Sequence, residues 1–265
     1  MKVTAVKLSL VCVSLIVMSL MWVGVNDARV RQENMVGLWP FDEGGGDTAN
    51  DSSGNKNHGK LMGDTRWVNG KFGTALEFDG DMDYVEVLHD ASLDITKELT
   101  IVAWAKFEEI PSRENVMIDK GPKLAQAQYY MAYEPAEEAY FLNFNGQRWH
   151  AGDNFNSPKT KDTDWHHIAV TFDTASGKIK ACVDGVCEEH QTDDFLVDKG
   201  EDNLLRISER ESRFSIDLLC LRNDGKTPRD EEYNKYLEDA PKRKFAVSPS
   251  GKLTTVWGNI KRPSS

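Results

Sequence analysis

The stretch Trp165–Glu189, WHHIAVTFDTASGKIKACVDGVCEE, carries the pattern from which the fold class follows. Between Trp165 and Phe172 the apolar residues Ile168, Val170 and Phe172 fall on alternate positions, the period of a strand with one buried face. From Lys178 to Glu189 the pattern continues on both sides of Asp184-Gly185. Asp-Gly between such arms is a strong two-residue hairpin signal, because both turn positions need positive φ. With that loop, Val183 faces Val186 in a hydrogen-bonded pair. Cys182 and Cys187 form the next, non-hydrogen-bonded pair, close enough to bridge in an oxidising compartment. A Cys-x4-Cys spacing can also suggest metal, yet no second Cys or His pair completes a zinc site.

Short alternating runs of the same kind extend in both directions: Ala75–Phe78, Tyr84–Val87, Leu99–Phe107, Tyr129–Tyr133 and Tyr140–Asn145 before it, Leu204–Ser208 and Phe214–Arg222 after it. Gly, Asn and Asp interrupt them, and no segment before residue 228 has a helical period. Many short strands separated by turns predict an all-β sandwich or barrel. The tail differs. Thr227-Pro228 followed by acids predicts one short helix over 228–237. Residues 239–265, with Pro241, Pro249 and Pro263, predict an irregular extension in which Leu253, Val256, Trp257 and Ile260 are apolar enough to dock on the sandwich.

At the other end, Lys2 and Lys7 precede an uncharged run from Leu8 to Val25, the charged-then-apolar order of an export signal. The run suits either a cleaved signal, within residues 1–28, or an uncleaved membrane anchor. Residues 29–35 read as a linker, 36–222 as the β-domain and 223–265 as a C-terminal extension. The chain is therefore expected outside the cytoplasm, secreted or tethered, with membrane contact only through an uncleaved N-terminal segment. Of 265 residues, 40% are hydrophobic, enough to fill a core, and the formal net charge is -11. That acidic balance, with Lys and Arg scattered among acids, argues against a nucleic-acid partner.

Several separated motifs together resemble the laminin-G-like, concanavalin A-like lectin/glucanase jelly rolls. They are Gly37-Leu38-Trp39-Pro40-Phe41-Asp42-Glu43 with Asp51–Gly59, then Lys71–Gly80 with Asp83-Tyr84-Val85, Leu99–Trp104, Trp165–Val170 and Val183-Asp184-Gly185. Ile216-Asp217 resembles the last strand, although Leu218 stands where the family usually continues with Glu. The resemblance covers residues 36 to about 222 and implies a two-sheet antiparallel sandwich whose members bind glycans, matrix proteins or other ligands, often with calcium. It also implies that Trp39, Trp67, Trp104 and Trp165 pack the core. A structural Ca²⁺ held by Asp42, Asp51 and Asp217 follows from the same source, clamping a first and a last strand expected to be neighbours; Asp51 could instead serve its own turn. The acids of Asp79-Gly80-Asp81-Met82-Asp83 look like the start of a calcium loop but lack the required glycine, and read as a solvated turn.

Catalytic patterns are missing. The Glu-x-Asp-x-x-Glu of the β-glucan-cleaving relatives is absent, as are Gly-x-Ser-x-Gly and His-Glu-x-x-His. His166 and His167, adjacent on a strand, point to opposite faces and cannot share an ion. Sugar recognition requires aromatic platforms with convergent polar groups, and Tyr129, Tyr133, Tyr140, Asn143, Asn145, Arg148 and Trp149 are the candidates in the less regular middle of the chain. The resulting expectation is a non-catalytic binding domain for a carbohydrate or a cell-surface or matrix protein. A structural adhesion protein and a glycoside hydrolase of the same fold are the alternatives.

Overall fold

A computed structural model describes residues 34–122, 127–144, 157–191, 203–208 and 213–224. The N-terminal segment, the tail after residue 224 with the helix expected over 228–237, and Asn145, Arg148 and Trp149 lie outside the described residues.

Among the described residues fifteen strands form two antiparallel sheets. In chain order they are β1 (Met35–Trp39), β2 (Thr48–Ala49), β3 (Gly59–Met62), β4 (Arg66–Asn69), β5 (Thr74–Phe78), β6 (Tyr84–Val87), β7 (Glu98–Phe107), β8 (Asn115–Lys120), β9 (Tyr129–Glu134), β10 (Ala139–Phe144), β11 (His166–Asp173), β12 (Lys178–Val183), β13 (Val186–Gln191), β14 (Leu205–Ile207) and β15 (Phe214–Arg222). One sheet runs β13-β12-β11-β7-β15-β5-β4, with β1 also paired to β15; the other runs β10-β9-β8-β14-β6-β3-β2. The first and last strands are neighbours, as expected, with Leu38 opposite Cys220.

Period-two alternation builds the core between the sheets. On β7, Leu99, Ile101, Ala103, Ala105 and Phe107 point into it, and Thr100, Val102, Trp104 and Lys106 point away. On β11, Ile168, Val170 and Phe172 join them. Trp39 packs inside, its indole N–H donating to the Asn57 carbonyl at 2.8 Å. Trp104 instead lies on the outer face of its sheet. Inward aromatic pairs such as Phe144–Phe172, at 4.1 Å between ring centroids, tie the two sheets together. Each large side chain buried this way contributes about 1.5–3 kcal/mol, against 0–1 for an exposed ion pair such as Lys178–Glu189. Packing therefore dominates.

The Asp184-Gly185 hairpin forms as its sequence requires, with φ of 50° and 85°. Val183 pairs with Val186 and Cys182 with Cys187, whose Cα atoms are 4.0 Å apart and whose sulfurs are bonded. So short a loop constrains the unfolded chain little. Reduction, or Cys187→Ser, is expected to lower stability by about 2 kcal/mol, read as a shift in the urea midpoint with and without reductant. A shift larger than that of a core truncation would show that the bridge holds more than its own hairpin.

Candidate functional site

Registers across the seven-stranded sheet place one residue from each strand in a single transverse line. Asn143 on β10 lies opposite Tyr130 on β9, and Tyr130 opposite Asp119 on β8. Asp119 lies opposite Arg206 on β14, Arg206 opposite Glu86 on β6, and Glu86 opposite Lys60 on β3, which faces Thr48 on β2. Directly paired residues share a face. The adjacent line, Phe144–Tyr129–Lys120–Leu205–Val87–Gly59, faces the core, so the polar line faces outward. From Asn143 to Lys60 it crosses five inter-strand steps, about 24 Å at ~4.8 Å each.

The members are linked. Asn143 Nδ2 donates to the Tyr130 hydroxyl at 3.1 Å. Arg206 Nη1 lies 3.5 Å from Asp119 Oδ2 and donates to the Gly121 carbonyl at 3.3 Å. Tyr130 meets Phe141 edge-to-face at 5.8 Å. Phe141 heads the next outward line, Phe141–Ala132–Val116, which with Ala127 and Tyr130 forms a small apolar cluster separate from the core. Asp119, Asn143, Tyr130 and Phe141 are only 0%, 1%, 3% and 5% exposed. Exposure grows toward Arg206, Glu86 and Lys60. The accessible part of the line is therefore Arg206, Glu86, Lys60 and Thr48, charged and hydroxyl groups that suit a polar, hydroxyl-bearing ligand.

Strand parity corrects the candidate aromatic residues. Tyr129, Tyr133 and Tyr140 point into the core, each at most 1% exposed. The Tyr129 hydroxyl donates to the Leu93 carbonyl at 3.1 Å and the Tyr133 hydroxyl to the Thr160 carbonyl at 2.8 Å. These three pack the sandwich and offer no platform. Of the candidates within the described residues, only Asn143 belongs to the outward line.

The acidic candidates divide as well. Asp51 is a turn organiser: its carboxylate accepts from the backbone N–H groups of Leu38, Ser53 and Asn57 at 2.8–2.9 Å and from the Ser53 hydroxyl at 2.8 Å. That occupancy takes it out of the expected metal set. Asp42 and Asp217 both border the turn from Gly70 to Gly73. A Cβ on Gly70 would stand 2.5 Å from Asp217 Oδ2 and one on Gly73 2.3 Å from Asp42 Oδ1, so glycine at these positions leaves room for the carboxylates. The Phe72 N–H donates to Asp217 Oδ2 at 2.7 Å. Burial pushes the Asp217 carboxyl up to about 6, despite the N–H groups of Phe72 and Lys71, and the Asp42 charge adds to the rise. Two hard oxygen donors that repel across a glycine-framed turn fit a bound cation. Asp64, Asp79 and Asp83 form another acidic cluster with the donor type for a metal. There Asp83 already accepts from the N–H groups of Asp79 and Gly80, as a turn carboxylate does.

The histidines separate as expected. His166 sits between Asp184, 2.6 Å from Nδ1, and Asp162, 2.8 Å from Nε2, and the Asp184 contact raises its pKa. His167, on the other face, packs against Trp104, and burial lowers its pKa to about 3.

Residues 79–217 match the family model described as the concanavalin A-like lectin/glucanases superfamily. No curated protein matches the chain. Among solved structures, domain 4 of AbnA, a GH43 extracellular arabinanase from Geobacillus stearothermophilus in complex with arabinotriose, superposes with a TM-score of 0.59 at 18% identity, covering 76% of this chain and 97% of that one. Trypanosoma rangeli sialidase gives 0.57 at 13% identity over 80% of this chain, which spans only 33% of the sialidase. The binding domain of botulinum neurotoxin DC, in complex with rat synaptotagmin II, gives 0.60 at 10% identity, covering 82% and 53%. At these identities the likeness concerns the fold.

Proposed function

The chain belongs to the concanavalin A-like lectin/glucanase superfamily, and from that premise we propose that it is an exported, non-catalytic glycan-binding module whose recognition surface is the outer face of the seven-stranded sheet. The carrying observation is the outward polar line of that sheet, in which Arg206, Glu86 and Lys60 reach solvent and Asn143, Tyr130 and Asp119 are buried. The arabinanase domain seen with arabinotriose and the toxin domain seen with synaptotagmin are binding domains of this fold, which supports a glycan or protein ligand. The Leu8–Val25 run and the Cys182–Cys187 bridge support export.

The electrostatics favour binding over hydrolysis. The two carboxylates of the line, Asp119 and Glu86, flank Arg206. A glycosidase sets its two carboxyls on either side of the scissile bond, whereas here a guanidinium occupies the position between Asp119 and Glu86. A calcium ion, where bound, would be held by Asp42 and Asp217 and would neutralise the turn that they border.

A glycan array of the full chain, run with Ca²⁺ and again with chelator, tests this reading. Glu86→Gln is expected to weaken the bound glycans about tenfold, the loss of one charge-assisted hydrogen bond, with the melting temperature unchanged; Arg206→Gln should weaken them as much and also lower the melting temperature, because it takes the guanidinium from the buried Asp119 carboxylate. No reducing ends should be released from any bound glycan. An empty array in both conditions would sink the glycan reading and move the module to the protein-binding class.

A further inference from the structure

We propose that the outer face of the eight-stranded sheet is the docking surface of the chain's own C-terminal segment, with Leu253, Val256, Trp257 and Ile260 packed over Val102, Ala169 and Cys220.

The face itself requires a cover. An antiparallel sheet with one side in the core commonly turns polar residues to water on the other. Here the outward residues at the centre of the sheet form two lines of mostly apolar character. Ala169 on β11 faces Val102 on β7, which faces Cys220 on β15; in the next line His167 faces Trp104, which faces Leu218. None of the six belongs to the core between the sheets, yet none is more than 7% exposed. β15 is buried along its whole length from Phe214 to Arg222, the pattern of a strand covered on both faces. The Phe72 ring and the Lys71 ammonium reach Trp104, at 5.2 Å and 4.7 Å from its ring centroid. The Ala169–Val102–Cys220 line lies beyond them. All fifteen strands of the described residues are used in the two sheets, so no strand among them remains to form a third layer.

Position, chemistry and charge single out the C-terminal segment as the cover. β15 delivers the chain to this face: it ends at Arg222, which pairs with Thr100 one line beyond Cys220. There the Asn223 N–H donates to the Asn34 carbonyl at 3.1 Å, and Asn34 Nδ2 to Asp224 at 3.0 Å. The stretch of about 28 residues from there to Leu253 reaches far more than the ~10 Å that separates β15 from β11. Leu253, Val256, Trp257 and Ile260 then bring four apolar side chains close together in sequence, and packing them on Val102, Ala169 and Cys220 removes both surfaces from water. Around them stand Lys242, Arg243, Lys244, Lys252, Lys261 and Arg262, with no Asp or Glu from residue 240 onward, in a chain of formal net charge -11. The segment is therefore drawn to the rest of the chain. The other long apolar run, Leu8–Val25, is assigned to export, and a cleaved or membrane-embedded run does not cover a sheet.

The test reads Cys220, the free thiol of this face, in the full chain. Its alkylation by N-ethylmaleimide, followed by mass spectrometry, is compared with the melting temperature in the unmodified chain and in the triple variant Val256→Asp, Trp257→Asp, Ile260→Asp. The variant is expected to speed Cys220 alkylation at least tenfold and to melt about 5 °C or more lower. Thr254→Asp with Thr255→Asp and Asn259→Asp adds the same charge without removing an apolar side chain, and should leave both readings near the unmodified values. An equal effect from this control would overturn docking through the apolar residues. Unchanged alkylation in the first variant would overturn the inference whatever its melting temperature, because the segment would then lie away from this face. Cys220 released by Leu15→Asp with Val17→Asp instead would give the face to the N-terminal run, and alkylation that quickens on dilution of the unmodified chain would give it to a second copy. Should the aspartate variant not fold, Val256→Cys and Trp257→Cys decide the matter: one of them should cross-link to Cys220 on mild oxidation, and failure of both overturns the docking.

Discussion

Replacing Asp94 by Ala is expected to cost about 3–5 kcal/mol of folding stability, because it strands a buried ammonium. Lys120 lies on β8 in the inward line between Tyr129 and Leu205, with no exposed surface. Its Nζ is 2.8 Å from Asp94 Oδ1. Asp94 closes the short 3₁₀ turn Ala91–Leu93, which also receives the Tyr129 hydroxyl at Leu93, while Gln128 donates to Ile95 just beyond it. Lys120 is therefore a core side chain whose charge is answered from the rim. Removing the lysine instead leaves a carboxylate that is partly open to water, so Lys120→Met should be near neutral. The double replacement should recover most of the loss, since the charge and its partner disappear together. Urea denaturation of the three variants measures this. A cost below about 1 kcal/mol for Asp94→Ala would put the pair in the class of surface ion pairs.

The strands were legible in the sequence because alternation is a local property and Asp-Gly dictates its own turn. Ile168, Val170 and Phe172 face the core, and Cys182 meets Cys187 with no adjustment. The outward polar line was less legible, although the information was close at hand. Tyr129 and Tyr130 are adjacent, so one must face inward and the other outward, and nothing local says which. The choice follows from the register with Asn143 and Asp119, a contact between distant strands. The same holds for Lys60, Glu86 and Arg206, unremarkable charges in sequence that become one line only once β3, β6 and β14 pair. Asp51 and Asp217 illustrate the limit for carboxylates. Both belong to recognisable motifs, yet Asp51 is occupied by the turn that holds Leu38, Ser53 and Asn57, while Asp217 fits against its turn only because Gly70 carries no side chain. Sequence resemblance located the carboxylates; backbone hydrogen bonding determined which of them is available.

Acid should destabilise the fold through His167 before general carboxylate protonation sets in. The imidazole is 1% exposed on the outer face of the eight-stranded sheet, its ring 5.2 Å from that of Trp104, and burial depresses its pKa to about 3. In the unfolded chain it titrates near 6.5. Between these values the unfolded state holds a proton that the folded state excludes, so stability falls as pH drops from about 6.5 toward 3. The slope is up to about 1.4 kcal/mol per pH unit, and the total roughly 5 kcal/mol. His166 acts elsewhere: its pKa is raised by Asp184, so its contribution is complete below the unfolded value and is lost as pH rises through the folded one. Asp217 opposes the trend in part. Its folded pKa of about 6 lies above the usual carboxyl value of 3.8, so the folded state takes up that proton first, and stability gains as pH falls between the two. The contribution of His167 is isolated by comparison with His167→Phe, which keeps an aromatic ring against Trp104 and cannot titrate. The variant should match or exceed the unmodified chain at pH 5 while lying close to it at pH 8, with the two curves of unfolding free energy diverging steadily below pH 6.5. Parallel curves through that range would assign the acid limb to other groups and leave His167 as a packing residue whose titration does not couple to folding.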